Sequence, residues 1–502
     1  MQCLWIFLCI IAYSQCPSMC LCKINSVTCS YANQIPKPKK PMPTVHNLTA
    51  RFTEIANISK DDFINYPSLL HLNLQNNKID NIEIGAFNRV TSLISINLSN
   101  NRLTVLKSER FESLSRLVNF DLRFNYLTSI TEANLDLLSL KRLHLLANNI
   151  SIFNSRDFKG IPNLEHLDLQ HQQHAMSAIS YDELKSLTKL TQLKLGYNAI
   201  KTLGNGELML PALKSLRIEN NKLKFIYQHD LDGMPNLEIL QLSANRINSL
   251  PDSIFSNLVK LEVMDLSNNQ LQHISHLHFK KSNKLQQLYL STNNIHTIDN
   301  YSFRNLNKLK RFYYLLQSFE HERDKNHYQS NIDWIEFPGI SNIKDNAFIT
   351  LQSLTSLRIS NNMLTTLRKN TFTGLRQLQF LALQDNYLQC VSSSVFRQLP
   401  QLLIVGTNFT SICCMLQANT TCYSVGKAIC PRNINSSSCN VTILPAPSIR
   451  CPYSTTIPYT THPSTSSNGS AISMVPIFHQ LKLVLALRTI EDIINNNLMQ
   501  YL

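Results

Sequence analysis

Residues 93–106 read LISINLSNNRLTVL, and residues 117–130 read LVNFDLRFNYLTSI. The two segments keep apolar residues at five matched positions and an asparagine at a sixth, in the pattern L-x-x-Φ-x-L-x-x-N-x-L-x-x-Φ, where Φ is apolar. The opening leucines of the copies are Leu69, Leu93, Leu117, Leu140, Leu164, Leu190, Leu213, Leu237, Leu261, Leu285, Leu309, Leu354, Leu378 and, weakly, Leu402. The chain is therefore an array of short repeats.

The L-x-L core of each copy alternates with period two, which predicts a short strand with its leucines in a common core and the x residues facing out. The asparagine ends the strand, and its amide can satisfy backbone groups at a tight turn. The asparagine column is Asn77, Asn101, Asn125, Asn148, Asn198, Asn221, Asn245, Asn269, Asn293, Asn362 and Asn386. The strands are predicted to centre on Leu74, Leu98, Leu122, Leu145, Leu169, Leu195, Ile218, Leu242, Leu266, Leu290, Ile359 and Leu383.

A phenylalanine column supports the same register, six residues before the opening leucine. Its members are Phe63, Phe87, Phe111, Phe158, Phe255, Phe279, Phe303, Phe348, Phe372 and Phe396. A spine of stacked rings on the convex side would explain this column. The alternative, an amphipathic helical array, would need a period of 3.6 residues and no asparagine column.

The combined pattern is that of the leucine-rich repeat. The resemblance implies an α/β leucine-rich-repeat solenoid, a right-handed curved horseshoe with one parallel sheet on its concave face. Residues 45–410 carry the repeats. Cysteine-rich segments flank them at residues 15–44 and 411–452, and we expect these to be disulfide-stabilised caps, because terminal repeats expose apolar faces.

Two places break the pattern. Gln172 replaces the asparagine of its repeat, and the segment 170–179 runs long. Leu309 and Leu354 are 45 residues apart. A degenerate repeat using Ile332, Ile335 and Phe337 is the favoured explanation, and a protruding binding loop, dense in charge at residues 320–327, is the alternative.

The two ends of the chain have compositions unlike the repeats. Residues 1–14 resemble a secretory signal peptide, with an apolar run at 4–13 and small residues before the expected cut; a buried strand is the alternative. Residues 453–472 are rich in Ser, Thr and Pro, which is typical of an extended stalk. Residues 473–502 form a tail. Its apolar run at 481–487 falls far short of the roughly 20 residues of a membrane span.

The 13 cysteines lie almost entirely at the ends of the repeat array. Cys16, Cys20, Cys22 and Cys29 precede the repeats, in a spacing that resembles the N-terminal cap of extracellular leucine-rich-repeat proteins. That resemblance implies the pairs Cys16–Cys22 and Cys20–Cys29. A zinc site is the alternative for four clustered cysteines, but a secretory start favours disulfides. The mature chain holds an odd number of cysteines, and Cys390, inside a repeat, is the predicted unpaired one.

The C-terminal cysteines begin with Ser411-Ile412-Cys413-Cys414. Adjacent cysteines cannot easily bond to each other, so each is expected to pair downstream. Ser-x-Cys-Cys after the last repeat, with Cys430 further on, resembles the hinge of glycoprotein-hormone-type leucine-rich-repeat G-protein-coupled receptors; Cys422 has no counterpart there. The cysteines expected in disulfides at this end are Cys413, Cys414, Cys422, Cys430, Cys439 and Cys451.

Glycosylation motifs and charge both bear on the compartment and on the partners. The asparagines in N-x-S/T motifs are Asn47, Asn57, Asn97, Asn149, Asn300, Asn408, Asn419, Asn435, Asn440 and Asn468. The net charge is +14 at pH 7 and the pI is about 9.1. In a secreted protein this charge favours acidic proteins, heparan-type glycans or membrane surfaces rather than nucleic acid. Because basic residues are scattered along the sequence, an acidic glycan is a secondary candidate partner.

No catalytic or cofactor-binding motif accompanies the repeats. The histidine pairs at 171–174 and 321–327 have no third ligand at a spacing typical of metal sites. No phosphate-binding glycine-rich loop or nucleophile elbow is present, and Gly is scarce at 11 residues. We therefore predict no enzyme activity, no cofactor and no metal.

The outward residues of the predicted concave sheet are the candidate binding surface. Exposed aromatic residues and arginines mark the best positions, because they dominate binding hot spots. The predicted ligand-binding residues are Asp121, Arg123, Phe124, His144, Asp168, Lys194, Tyr197, Arg217, Tyr289 and Tyr313. The sequence predicts a secreted or cell-surface protein that binds an extracellular protein, such as a matrix protein, on this face. The alternative is the ectodomain of a receptor for a cystine-rich hormone, without its membrane domain.

Overall fold

The computed structural model describes residues 16–130, 135–151, 158–174, 176–178, 181–204, 208–313, 339–360, 362–392, 394–413, 415–416 and 420–423. Every described residue lies within the first unit of the chain, Met1–Thr455. The predicted signal peptide, stalk and tail lie outside the described residues.

Short strands recur once or twice per repeat along the described chain. Their bounds are β1 (Cys20–Lys23), β2 (Ser26–Cys29), β3 (Asn47–Ala50), β4 (Asn57–Ile58), β5 (His71–Asn73), β6 (Asn81–Ile82), β7 (Ser95–Asn97), β8 (Asn119–Asp121), β9 (Arg142–His144), β10 (His166–Asp168), β11 (Gln192–Lys194), β12 (Ser215–Arg217), β13 (Ile239–Gln241), β14 (Val263–Asp265), β15 (Gln287–Tyr289), β16 (Thr297–Ile298), β17 (Arg311–Tyr313), β18 (Asn342–Ile343), β19 (Ser356–Arg358), β20 (Thr366–Leu367), β21 (Phe380–Ala382), β22 (Cys390–Val391), β23 (Ile404–Gly406) and β24 (Thr421–Tyr423).

One main sheet joins 18 of these strands in the order β1–β2–β3–β5–β7–β8–β9–β10–β11–β12–β13–β14–β15–β17–β19–β21–β23–β24. All neighbours in it are parallel except the β1–β2 hairpin at its N-terminal end. Three two-stranded parallel sheets, β4–β6, β16–β18 and β20–β22, lie outside it. The predicted solenoid with one long parallel sheet is confirmed.

The predicted strand centres are wrong by two residues. Each strand ends before the closing leucine of L-x-L, so that β5 centres on Leu72 and β7 on Ile96 rather than on Leu74 and Leu98. The reason is the turn that follows. Wherever it is described, the second residue after the closing leucine or isoleucine has a positive φ, 57° at Asn76 and 54° at Asn100, which ends the extended backbone.

The asparagine column links successive repeats through the turn. Asn101 is 4% exposed. Its Nδ2 donates to the carbonyls of Leu74 and Leu98, each at 3.0 Å, and its Oδ1 accepts the N–H of Ile79 at 2.9 Å. The bonds repeat at later asparagines, and Gln172 makes equivalent ones to the Leu145 carbonyl and the Ile150 N–H. The substitution at residue 172 therefore leaves the ladder unbroken.

The phenylalanine spine is present in two runs. Neighbouring rings stack at centroid distances of 5.8 Å for Phe63–Phe87 and 5.9 Å for Phe255–Phe279. Leu184 and Leu231, fully buried, stand at the same repeat position where the sequence lacks Phe. The spine fills the core behind the sheet in nearly every repeat.

The favoured explanation of the long gap after Leu309, a degenerate repeat, is wrong. Strand β17 pairs directly with β19 in parallel register, and the Phe303 and Phe348 rings stack at 6.0 Å as spine neighbours. No further repeat fits between neighbours already in contact. The extra residues are an insertion within one repeat, between β17 and Ile340. Residues 314–338, with Ile332, Ile335 and Phe337, lie outside the described residues.

Disulfides close both ends of the sheet. Cys16 bonds to Cys22 and Cys20 to Cys29, which is the pairing implied by the cap resemblance. Strand β2 of this cap pairs with β3 and so covers the first repeat. At the other end Cys413 bonds downstream to Cys422, in the strand β24 that pairs with β23.

The prediction that Cys390 is unpaired is wrong, because Cys390 is disulfide-bonded. That prediction rested on the position of Cys390 inside a repeat. In a solenoid, residues one or two repeats apart can touch, so a cysteine inside a repeat can meet one from the following segment. Cys414, Cys430, Cys439 and Cys451 lie outside the described residues.

Helical segments in the described chain are short. They are the α-helices α1 (Tyr181–Leu184) and α2 (Thr410–Cys413) and the 3₁₀ helices Ser108–Arg110 and Val395–Gln398. The connections behind the described strands are otherwise mostly turns, which suits repeats only about 24 residues long.

Replacing Asn245 with alanine should lower the free energy of unfolding by about 1–3 kcal/mol. Its side chain accepts the N–H of Leu223 at 3.1 Å and donates to the carbonyls of Ile218 and Leu242 at 3.0 and 3.1 Å, all buried. Urea unfolding measures the loss. The control is Asn88→Ala, at an exposed turn. Equal losses in the two variants would contradict the ladder.

His278 should make stability depend on pH. Its ring is buried; Nε2 donates to the Leu250 carbonyl and Nδ1 accepts the Ser275 N–H, each at 3.2 Å, which requires the neutral ring. Burial, the largest cause, lowers the pKa of His278. The unfolded chain then binds more protons below about pH 6.5, so stability falls as pH drops through that value.

The variant His278→Thr should flatten this pH dependence between pH 7.5 and 5. Thr371 occupies the same repeat position and accepts the Arg368 N–H at 2.8 Å, so threonine can keep the turn capped. Thermal unfolding at several pH values measures the slope. A slope unchanged from the wild type would assign the pH dependence to other groups.

Candidate ligand-binding face

The main sheet aligns the predicted binding residues in one row. Asp121, His144, Asp168, Lys194 and Arg217 are direct register partners on β8 to β12. Neighbouring strands lie about 4.8 Å apart, so the five side chains leave a single surface in order. Sequence spacing predicted this column correctly.

Charged groups on this row pair with one another. The Arg123 guanidinium donates to both carboxylate oxygens of Asp121, with Nη2–Oδ2 at 2.7 Å and Nε–Oδ1 at 2.9 Å. Lys194 Nζ lies 3.6 Å from Asp168 Oδ2, and the Asp168 side chain is only 9% exposed. Such pairs hold the side chains in place and limit the entropy lost when a ligand binds.

His144 lies between the two carboxylates in the row. Burial is the largest cause acting on its pKa and lowers it, although Asp121 and Asp168 oppose that effect. The imidazole is therefore neutral at pH 7, and offers one donor and one acceptor rather than a third charge.

Aromatic rings stand at the turn that follows the strands. The His171 and Tyr197 rings stack with centroids 3.9 Å apart and an interplanar angle of 14°. Phe124 is 49% exposed and Tyr197 45% exposed. All three have positive φ, between 53° and 58°, where asparagine is the residue best tolerated. The turn of the repeat requires a positive φ at this position, and in three repeats the residue with that backbone conformation is aromatic.

A contact across three strands was missed by sequence reasoning. Gln170 Nε2 donates to Glu219 Oε1 at 2.8 Å, from residues two repeats apart. Gly196 lies between them, and a Cβ there would stand 2.6 Å from Glu219 Oε1. The other carboxylate oxygen, Oε2, is buried without a hydrogen-bond partner among the described residues. Gly196, a glycine at an outward-facing position of its repeat, is the one feature of the sequence that indicates this contact.

The two predicted tyrosines are separate from this cluster. Tyr289 on β15 lies three strands beyond Arg217, and its hydroxyl donates to Gln287 Oε1 at 2.8 Å. Strand pairing places Tyr313 next to it in register. The predicted site from Asp121 to Tyr313 is thus a continuous sheet face with two groups of candidate residues rather than one.

Six of the predicted glycosylation asparagines are in the described chain. Asn300 and Asn408 are exposed, and Asn47, Asn57 and Asn149 are partly exposed. Asn97, on β7, donates to Gln75 Oε1 at 3.0 Å through Nδ2, the atom that would carry a glycan, and accepts from the Ser99 hydroxyl at 2.7 Å. Asn419, Asn435, Asn440 and Asn468 lie outside the described residues.

The described part of the chain contains no group of three His, Cys, Asp or Glu side chains placed to hold a metal ion. Nor does any helix in the described ranges have the length and apolar character needed to cross a membrane.

A comparison with known protein families identifies the family to which the repeats belong. The model of the family "Leucine rich repeat" matches residues 43–103, 67–127, 115–173, 188–247, 235–295, 335–388 and 352–405. The chain belongs to the leucine-rich-repeat family. The matches pause after residue 295 and resume at 335, on either side of the insertion. No curated protein sequence matches the chain.

Solved structures share the fold at low identity. A leucine-rich-repeat protein of Leptospira interrogans is 24% identical, covers 72% of this chain and 84% of its own, and has a TM-score of 0.56. The internalin InlF of Listeria monocytogenes is 21% identical, with coverage of 69% and 88% and a TM-score of 0.51. Drosophila Toll in its complex with Spätzle is 19% identical, with coverage of 73% and 50% and a TM-score of 0.50. These likenesses show the fold alone.

The positive φ at Phe124 allows the stability cost of an aromatic residue in this turn to be measured. Phe124→Asn should leave the free energy of unfolding at or above that of the wild type, because asparagine tolerates positive φ. Phe124→Val should lower it by about 1 kcal/mol or more, because a β-branched residue is strained there. Urea unfolding compares the three proteins. Greater stability of the valine variant would contradict the argument.

Proposed function

We propose that this protein works outside the cell, secreted or at the cell surface, and binds a protein ligand on the solvent face of its main sheet between β8 and β17. The stacked His171–Tyr197 pair beside the Asp121–Arg123 and Asp168–Lys194 ion pairs carries the proposal. Exposed aromatic rings held among fixed charges are the composition of binding hot spots.

The length of the face across its strands supports a protein rather than a small molecule as the ligand. It runs across nine strands of the main sheet, from β8 to β17, and about 4.8 Å separates neighbours. A surface nearly 40 Å long suits a macromolecule, whereas small ligands favour enclosed cavities. Toll, one protein of the same fold, is solved in complex with Spätzle.

The disulfides support a location outside the cell. Cys16–Cys22 and Cys20–Cys29 close the N-terminal cap, and Cys413–Cys422 closes the C-terminal cap. Disulfides of this structural kind form and persist in oxidising compartments. N-glycosylation at the exposed Asn300 and Asn408 belongs to the same proposal.

The ectodomain of a glycoprotein-hormone-type receptor is the second candidate. The motif Ser411-Ile412-Cys413-Cys414 supports it. Against it, Cys413 bonds to Cys422, the cysteine without a counterpart in the receptor pattern. We therefore favour a secreted or surface protein that binds matrix or cell-surface proteins over the receptor ectodomain.

Affinity capture tests the proposed face. The full secreted chain is incubated with extracellular fluid of its source, and bound proteins are quantified by mass spectrometry. A protein held by the wild type should bind Tyr197→Asn roughly thirtyfold more weakly, because a hot-spot residue is worth about 2 kcal/mol. Asparagine suits the positive φ of Tyr197, so the variant should fold.

The matched control is Tyr227→Asn, which removes a tyrosine of similar exposure outside the main sheet. Its capture should equal that of the wild type. A double variant, Tyr289→Ala with Tyr313→Ala, tests the second group of residues. Full retention by both Tyr197→Asn and the double variant would move the ligand site away from this face.

A further inference from the structure

A basic surface lies at the edge where strands β14, β15 and β17 begin. Six exposed cations gather there from three consecutive repeats. We call this surface the basic edge; its members are Lys260, Lys280, Lys281, Lys284, Arg304 and Lys308. In the sequence these residues are spread over 49 positions, but the solenoid stacks them.

The repeat register explains the arrangement. Lys260, Lys284 and Lys308 each precede the opening leucine of their repeat, and those leucines are buried side by side. Equivalent residues in a stack of parallel strands recur about every 4.8 Å. The three lysines therefore form a short row across the repeats, and Lys280, Lys281 and Arg304 flank it.

The positive charge of the basic edge is not neutralised within the described chain. None of its six cations forms an ion pair there. Asp299 pairs with Lys344 at 2.6 Å, whereas Glu262 accepts from the neutral Gln286 Nε2 at 3.2 Å and keeps its charge without forming an ion pair with these cations. Like charges held this close repel one another, which favours a bound polyanion.

A shallow open depression of about 480 Å³ lies within the basic edge. Its lining residues are Val259, Lys280, Lys281, Asn283, Asn305 and Asn307. Lysine ammonium groups can contact sulfate, and asparagine amides can both donate to and accept from sugar hydroxyls. The depression thus combines charge with neutral hydrogen-bonding groups.

We propose that the basic edge binds a sulfated polysaccharide of the extracellular matrix or cell surface. A linear polymer with repeated anionic groups matches a row of cations that crosses several repeats. A bilayer would call for apolar groups to insert, and only Val259 among the lining residues is apolar. Single-stranded nucleic acid would call for aromatic platforms, and no aromatic residue lines the depression.

This site is separate from the proposed protein-binding face. Its residues precede the strands, whereas the proposed ligand residues lie on the strands or in the turns after them. The polysaccharide could therefore retain the protein near a cell or matrix while the sheet face stays open to a protein ligand.

Binding of the full chain to immobilised heparin, a sulfated polysaccharide, in a NaCl gradient tests the proposal. The variant Lys280→Gln/Lys281→Gln/Lys284→Gln should bind roughly tenfold more weakly and elute at lower salt, since three charge contacts are lost. The variant with arginine at the same three positions should elute with the wild type. Circular dichroism checks that each variant is folded.

The matched control is Lys201→Gln/Lys222→Gln/Lys369→Gln, which removes the same charge from exposed lysines elsewhere. It should elute close to the wild type. Equal losses in the two glutamine variants would assign binding to net charge and overturn the site. Competition by desulfated heparin as strong as by heparin, or preferential binding to phosphatidylserine vesicles, would also overturn it. Protein capture by the sheet face is unaffected by either result.

Discussion

The hydrogen bonds of one buried amide per repeat hold this solenoid together. A residue such as Asn125 donates to the Leu98 carbonyl of the preceding repeat and the Leu122 carbonyl of its own, each at 3.0 Å, and accepts the N–H of Leu103. The turn leaves these backbone groups inside the core, where an unpaired polar group is expensive. One side chain per repeat thus satisfies the backbone and fixes the distance between repeats.

That constraint also shapes the proposed ligand-binding face. Because the strands end in the same turn, every described residue that precedes a ladder amide adopts a positive φ, from Asn76 to Asp385. Asparagine meets this demand at little cost, yet Phe124, His171 and Tyr197 occupy it where the charged row lies, and Ala147, Ala244 and Thr292 occupy it in other repeats. Among these departures from asparagine, the exposed rings of Phe124 and Tyr197 are the ones that fit the proposed ligand-binding face.

Strand pairing also explains how the two ends of the repeat array and the insertion are accommodated. A hairpin held by two disulfides continues the sheet before β3, and β24, tied by Cys413–Cys422, continues it after β23. The insertion after β17 leaves the sheet intact, because β17 and β19 pair directly. Additional chain is tolerated where a repeat turns away from the sheet, since loop closure becomes only slowly more costly with length.

The sequence by itself determined the periodic part of this protein. Leucine, asparagine and phenylalanine columns predicted the parallel sheet, the core and the outward row from Asp121 to Arg217, because each repeat buries the same positions in the same way. Tertiary structure alone decided contacts that join different repeats or depend on local backbone geometry. Gln170 reaches Glu219 over Gly196, Cys390 is bonded rather than free, β17 meets β19 across the insertion, and scattered lysines become one basic edge. Periodicity gives the position of a residue within its repeat, whereas these contacts depend on which side chains the stacking brings together.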